Sequence, residues 1–140
     1  MENVKFIYIN YSIVVMENKR KNIIFCDDQP FIGHSLKAHL MKYVNIDLAH
    51  RLGDLIDKLQ NKNYHYDLVV CDRNLPDGKD LEIIDAIKKV YQGKIYIISI
   101  CRCDDDNLKE QLFKKGVNEV LFRGIGEEVG YLEDKIIKLQ

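Results

Sequence analysis

Residues 67–78, DLVVCDRNLPDG, decide the fold. Four apolar residues, Leu68 to Cys71, run into Asp72 and are followed at once by turn chemistry at Leu75, Pro76, Asp77 and Gly78. A continuous apolar run of that length, bounded by turn residues, suits a strand covered on both faces, as in a parallel sheet. Beyond the turn, Ile83, Ile84, Ile87, Val90 and Tyr91 recur at helical spacing until Gly93 breaks the pattern. One strand, one acid at its end and one helix make up the unit.

The same unit repeats in both directions along the chain. Upstream, Ile23 to Cys26 form a run ending at Asp27. Pro30 then suits a first helical turn, and Ile32, Leu36, Leu40 and Val44 form an inner stripe. Ile46 to Ala49 and then Leu52, Leu55, Ile56 and Leu59 give a second strand and amphipathic helix. Downstream, Ile95 to Ile98 make a fourth strand. Asp104, Asp105 and Asp106 are cap and first-turn residues for a helix running to Lys115, and Gly116 sits where a left-handed residue ends a helix. Val117 to Phe122 give a fifth strand, and a last helix runs from about Glu127 to Leu139 with Val129, Leu132, Ile136 and Leu139 inward. Alternating strands and helices predict an α/β fold: a (βα)5 doubly wound, flavodoxin-like, three-layer domain over residues 21–140. Its parallel five-stranded sheet has the order 2-1-3-4-5.

Residues 1–20 stand apart as an N-terminal extension. The opening fifteen residues are apolar but are interrupted by Asn10 and Ser12, fall short of a membrane span, and lack a basic start and a cleavage site. Met16-Glu17-Asn18 repeats Met1-Glu2-Asn3, which reads as an unused upstream start. The other readings are disorder, or an extra strand over residues 4 to 9 pairing on a sheet edge or with a partner.

With 140 residues, one core and one site are expected. A formal net charge of −1 excludes the basic stripe that nucleic-acid binding requires. Cys26, Cys71, Cys101 and Cys103 lack zinc-site spacing and read as reduced thiols of a cytoplasmic protein; Cys26 and Cys71 point away from the acids that follow them. His34 and His39 read as helix-surface residues, and Lys88, Lys89, Lys114 and Lys115 as solvated helix ends.

In an open α/β sheet, ligands bind beyond the carboxyl ends of the strands where the strand order reverses. Asp27 and Asp28 end the first strand and Asp72 ends the third, so three carboxylates converge on one small volume. Carboxylates that close repel one another and favour a proton or a cation. Oxygen-only ligands in a tight pocket favour Mg²⁺. A carboxylate beside that ion can accept a phosphoryl group, and Asp72 is the natural nucleophile. Simple helix capping would not need three acids on two neighbouring strands.

These residues resemble the response-regulator receiver domain. The resemblance rests on the acidic pair in IIFCDDQPF, the strand and turn DLVVCDRNLPDG, the hydroxyl in IYIISI and the basic residue in GVNEVLFRG. It implies that Asp27, Asp28, Asp72 and the backbone carbonyl of Asn74 hold Mg²⁺ and that Asp72 is the phosphoacceptor. It also implies that Ser99 and Arg123 bind the phosphoryl oxygens and that Pro76 shapes the loop. Four positions depart from the family pattern: Arg123 for lysine, Gly124 for a proline, Ile100 for Ala or Gly beside the site, and Val120 at the switch-aromatic position. Asp80, where Gly is common, is a milder departure.

The resemblance implies a stand-alone receiver in a two-component phosphorelay, fed by a histidine kinase or histidine phosphotransfer protein and signalling to a protein target. It is not an enzyme beyond self-dephosphorylation. It would be a monomer or a weak dimer through the fourth helix, fifth strand and fifth helix. The departures favour an alternative: a degenerate receiver that binds partners whatever its phosphorylation state. An aspartyl phosphatase is disfavoured because Asn74, not a second acid, follows Asp72 by two residues.

Overall fold

The computed structural model describes residues 4–9, 12–17, 20–91, 93–101, 105–122 and 128–138. Within residues 20–138 the chain alternates strand and helix as the apolar periods predict. The elements are β3 (Asn22–Cys26), α1 (Pro30–Leu40), β4 (Asn45–Ala49), α2 (Leu52–Leu59), β5 (Leu68–Asp72), α3 (Leu81–Val90), β8 (Tyr96–Cys101), α4 (Asp106–Lys114), β9 (Glu119–Phe122) and α5 (Glu128–Lys138). The five strands form one parallel sheet in the order β4-β3-β5-β8-β9, which is 2-1-3-4-5 when only these strands are counted.

Two short antiparallel pairs complete the described strands. β1 (Val4–Ile9) pairs antiparallel with β2 (Ser12–Glu17). Its partner is a neighbouring segment of the chain and not the edge of the main sheet. β6 (Asn74–Leu75) and β7 (Gly78–Lys79) close the loop after Asp72 around Pro76 and Asp77. Pro76 supplies the fixed φ that such a turn needs.

Strand alternation sorts the core into two layers. Ile24, Cys26, Val69, Cys71, Ile97 and Cys101 pack under α2, α3 and α4, whose inner residues include Leu55, Ile83, Ile84, Ile87 and Leu112. Ile23, Phe25, Val70, Ile98 and Ile100 pack on the other side against Leu36 and Leu40 of α1 and Leu132 and Ile136 of α5. The inner stripe of α1 differs slightly from the spacing read in the sequence. Gly33 is buried where Ile32 is only half-buried. A Cβ at Gly33 would come within 3.1 Å of Leu48 Cδ2, so the missing side chain lets α1 lie close to β4.

The cysteines behave as core residues. Cys26, Cys71 and Cys101 are buried and unbridged, while Cys103 lies outside the described residues. The adjacent Cys26 thiol, burial and the neighbouring carboxylates push the Cys71 thiol well above its usual range, which makes it a poor nucleophile.

Helix ends follow local chemistry. Asp105 accepts a hydrogen bond from the Leu108 N–H at 3.0 Å and caps α4; Asp104, also expected there, lies outside the described residues. Gly116 takes φ +103° and ends that helix, a conformation in which a side chain would be strained.

Candidate functional site

The sheet brings three acids to one edge. Cys26 of β3 and Cys71 of β5 are register partners, so the residues that follow them, Asp27 and Asp72, leave the sheet side by side. Carboxylate oxygens of Asp27, Asp28 and Asp72 all lie within 4.8 Å of one another. Asp27 and Asp72 are each only 1% exposed, and Asp28 is exposed. Two carboxylates withdrawn from water at such spacing need compensating charge, and an all-oxygen donor set suits a hard cation. The residues present therefore fit a Mg²⁺ ion.

Local hydrogen bonds orient these acids. Gln29 donates its N–H to Asp27 Oδ1 at 2.8 Å, bending the chain into α1, and the Asp27 N–H donates to the Ala49 carbonyl at 3.1 Å. The Asn74 N–H approaches Asp72 Oδ1 at 3.4 Å, so the loop that carries the Asn74 carbonyl turns back towards the acid. The Arg73 N–H donates to the Ile100 carbonyl at 3.1 Å and fixes the end of β5 against β8.

The remaining predicted residues divide between the two faces of the sheet. Ile100 is the register partner of Asp72 and lies on the same face, where it is buried against the α1 and α5 layer. Its bulk stands directly beside Asp72. Ser99 lies between Ile97 and Cys101 of the opposite layer, so strand alternation starts its side chain from the face away from Asp72. Val120 is the register partner of Ser99 and is half-buried against that same layer. Pro76 is exposed at the loop tip. Arg123 and Gly124 lie outside the described residues.

Asp80 was noted in the sequence as a departure, but three features of the site were not read there: its backbone conformation, its ion pair with Arg73 and the contact made by His50. Asp80 adopts φ +54° and ψ −126°, a region that glycine enters freely and other residues seldom do. It is held there by contacts with the residue after Asp72: its N–H donates to the Arg73 carbonyl at 2.7 Å, and its carboxylate lies 3.2 Å from Arg73 Nε. The unusual Asp at a Gly position was the available sign, but its ion pair with Arg73 was not. His50, half-buried after β4, is the third, with Nδ1 3.1 Å from the Asp27 carbonyl.

Asp77 works at a distance along the chain. Its Oδ1 accepts from the Leu52 N–H at 2.6 Å and its Oδ2 from the Gly53 N–H at 2.9 Å, with Arg51 Nε at 3.5 Å. The residue preceding α2, Arg51, offers no side-chain cap, so Asp77 caps α2 from the loop beyond Asp72. Burial tends to raise its pKa, but the N–H groups of Gly53 and Leu52 and the charge of Arg51 outweigh that and hold the carboxyl below its usual value. A depressed folded pKa stabilises the fold above the unfolded carboxyl value of about 3.9, and that stability is lost as pH falls through the lower folded value. Asp77→Ala is expected to cost about 1 kcal/mol in urea denaturation at neutral pH, as loss of a helix cap does. The difference from the parent protein should shrink through the acid range and vanish once Asp77 is protonated in both states.

Comparisons with known proteins agree with this architecture. A family model described as the response regulator receiver domain matches residues 23–130. A CheY-like receiver domain from Methanospirillum hungatei JF-1 superposes with a TM-score of 0.68 at 20% identity, covering 87% of this chain and all of that one. The chemotaxis response regulator CheY4 of Vibrio cholerae gives 0.70 at 16% identity, covering 84% and 99%. A two-component response regulator from Clostridium difficile gives 0.71 at 23%, covering 85% and 97%. At these identities the solved structures speak for the fold alone. The curated proteins give no match. No helix of the described residues is long and apolar enough to cross a membrane.

Proposed function

The chain belongs to the response regulator receiver-domain family, and from that premise we propose that Asp72 accepts a phosphoryl group from a histidine kinase or a histidine phosphotransfer protein. The observation that carries this reading is the convergence of Asp27, Asp28 and Asp72 within 4.8 Å at the carboxyl edge of the sheet. In the transfer, an Asp72 carboxylate oxygen bonds to phosphorus as the P–N bond of a phosphohistidine breaks, and the departing imidazole nitrogen takes up a proton. Asp27, Asp28, Asp72 and the Asn74 carbonyl would hold Mg²⁺. When bound, that ion supplies positive charge for the phosphoryl oxygens.

The other residues set access and readout. Ile100, packed beside Asp72, narrows the approach for phosphodonor and water. In this reading the Ser99 hydroxyl and the Arg123 cation serve the phosphoryl oxygens. Output passes through protein contacts on the α4, β9 and α5 face, where Phe113 and Tyr131 are exposed. The same reading takes the protein as cytoplasmic, and as a monomer or a weak dimer through that face.

Val120 favours a second reading. A half-buried aliphatic residue beside Ser99 cannot supply an aromatic rotation that follows Ser99, so partner binding independent of phosphorylation is the competing account. The separating experiment is treatment with acetyl phosphate and excess Mg²⁺, read by intact mass and peptide mapping. The expected result is one added phosphoryl group on the peptide containing Asp72, with none when the divalent ion is chelated. Failure to gain that mass would leave the phosphorylation-independent reading.

A further inference from the structure

Beside the acidic pocket, two histidines from different elements face each other. His34 is exposed on α1, His50 is half-buried after β4, and their ring centroids lie 6.4 Å apart with the planes at 41°. His50 Nδ1 sits 3.1 Å from the Asp27 carbonyl oxygen. A carbonyl only accepts, so Nδ1 carries a proton there, and Nε2 is the ring nitrogen left to face a metal ion. An imidazole that donates one N–H to a backbone carbonyl and offers its other nitrogen is held as metal-ligating histidines are held.

We propose that His34 and His50 form a second cation site that takes a divalent transition-metal ion, represented by Zn²⁺ or Ni²⁺, and not Mg²⁺. Two imidazoles sharing a tetrahedral ion at about 2.0–2.1 Å place their centroids about 5 Å apart. The resting pair is somewhat wider than this. His34 is exposed and closes the gap by rotating its side chain, while His50 stays tethered to Asp27. Nitrogen ligands select borderline ions such as Zn²⁺ and Ni²⁺ over the hard Mg²⁺, for which the carboxylate cluster is suited. That cluster raises the local concentration of any cation, and it lies next door through Asp27. Among the described residues no third His, Cys or carboxylate groups with these two histidines, so water fills the remaining positions. The site would tie α1 to the loop after β4. It stands whether or not Asp72 accepts a phosphoryl group.

The test is a calorimetric titration of the full chain with Zn²⁺ in the presence of excess Mg²⁺, which keeps the acidic pocket filled. The expected result is one bound ion, weakened at least about tenfold in His34→Ala and in His50→Ala and retained in Asp72→Asn. His34→Ala removes only an exposed ring, so it remains informative if His50→Ala disturbs the loop. Ni²⁺ should broaden the ring-proton resonances of both histidines in the same experiment. Zn²⁺ binding that survives His34→Ala and His50→Ala but is lost in Asp72→Asn would put the ion in the acidic pocket and overturn the proposal. Absence of Zn²⁺ binding in the parent protein would overturn it equally.

Discussion

Asp72→Asn is expected to abolish phosphoryl uptake while raising the stability of the metal-free protein. The first effect is chemical: a neutral amide is not the nucleophile that a carboxylate is, and the acyl phosphate cannot form. The second follows from the geometry. Carboxylate oxygens of Asp27, Asp28 and Asp72 lie within 4.8 Å of one another, and two of these groups are almost fully withdrawn from water. A like-charge pair at such a distance costs about 3 kcal/mol at an effective dielectric near 20. Removing Asp72 removes two of those repulsions. Asparagine keeps a carbonyl to accept the Asn74 N–H. Relaxation and counterions reduce the gain, and about 1–2 kcal/mol is a reasonable net figure. For a domain of this size that is a rise of several degrees in the thermal midpoint. Excess Mg²⁺ should stabilise the parent protein more than the variant and so narrow the gap. Thermal melts with and without chelator measure all of this, and a metal-free Asp72→Asn protein less stable than its parent would refute the picture of an acidic cluster in mutual repulsion.

The strand and helix pattern could be read because periodicity is a backbone property that each residue reports locally. Val69, Val70 and Cys71 read as a strand buried on both faces, and they lie at its centre. The acids Asp27 and Asp72 could be brought together on paper because the sheet order puts their strands side by side. Contacts made across the fold were not available in the same way. Asp77 read as a turn residue, which it is, but nothing in its neighbourhood in sequence indicates that it caps α2, whose first N–H groups lie on the other side of a strand. The pairing of Arg73 with Asp80 could not be read either, since it needs the β6–β7 turn to bring the two together. The hairpin of β1 and β2 shows the same limit: the apolar run read as a strand, and its partner is set by a register that puts Ile9 opposite Ser12.

Ile97→Ala is the substitution expected to damage the fold most without touching the chemistry. Ile97 is fully buried near the start of β8, opposite Val69 in register, and belongs to the layer that includes Ile24, Ile87, Leu112 and Val117. Its backbone is fixed independently, since its N–H donates to Asn118 Oδ1 at 2.8 Å and its carbonyl accepts from the Asn118 N–H at 2.9 Å. Truncation would therefore leave a cavity that the strand cannot move to fill, and the cost should fall at about 3–5 kcal/mol. Against a total of about 5–15 kcal/mol for a domain, that is a large share. Ile97→Val should cost about 0.5–1.5 kcal/mol, and Ile137→Ala, on the exposed side of α5, should stay within about 0.5 kcal/mol. Because Ile97 faces the layer away from Asp72, phosphoryl uptake per folded molecule should be unchanged while the denaturation midpoint falls. If uptake per folded molecule fell with stability, the two faces of β8 would be coupled, and the separation between the layer that holds the acids and the layer that holds Ser99 and Val120 would have to be abandoned.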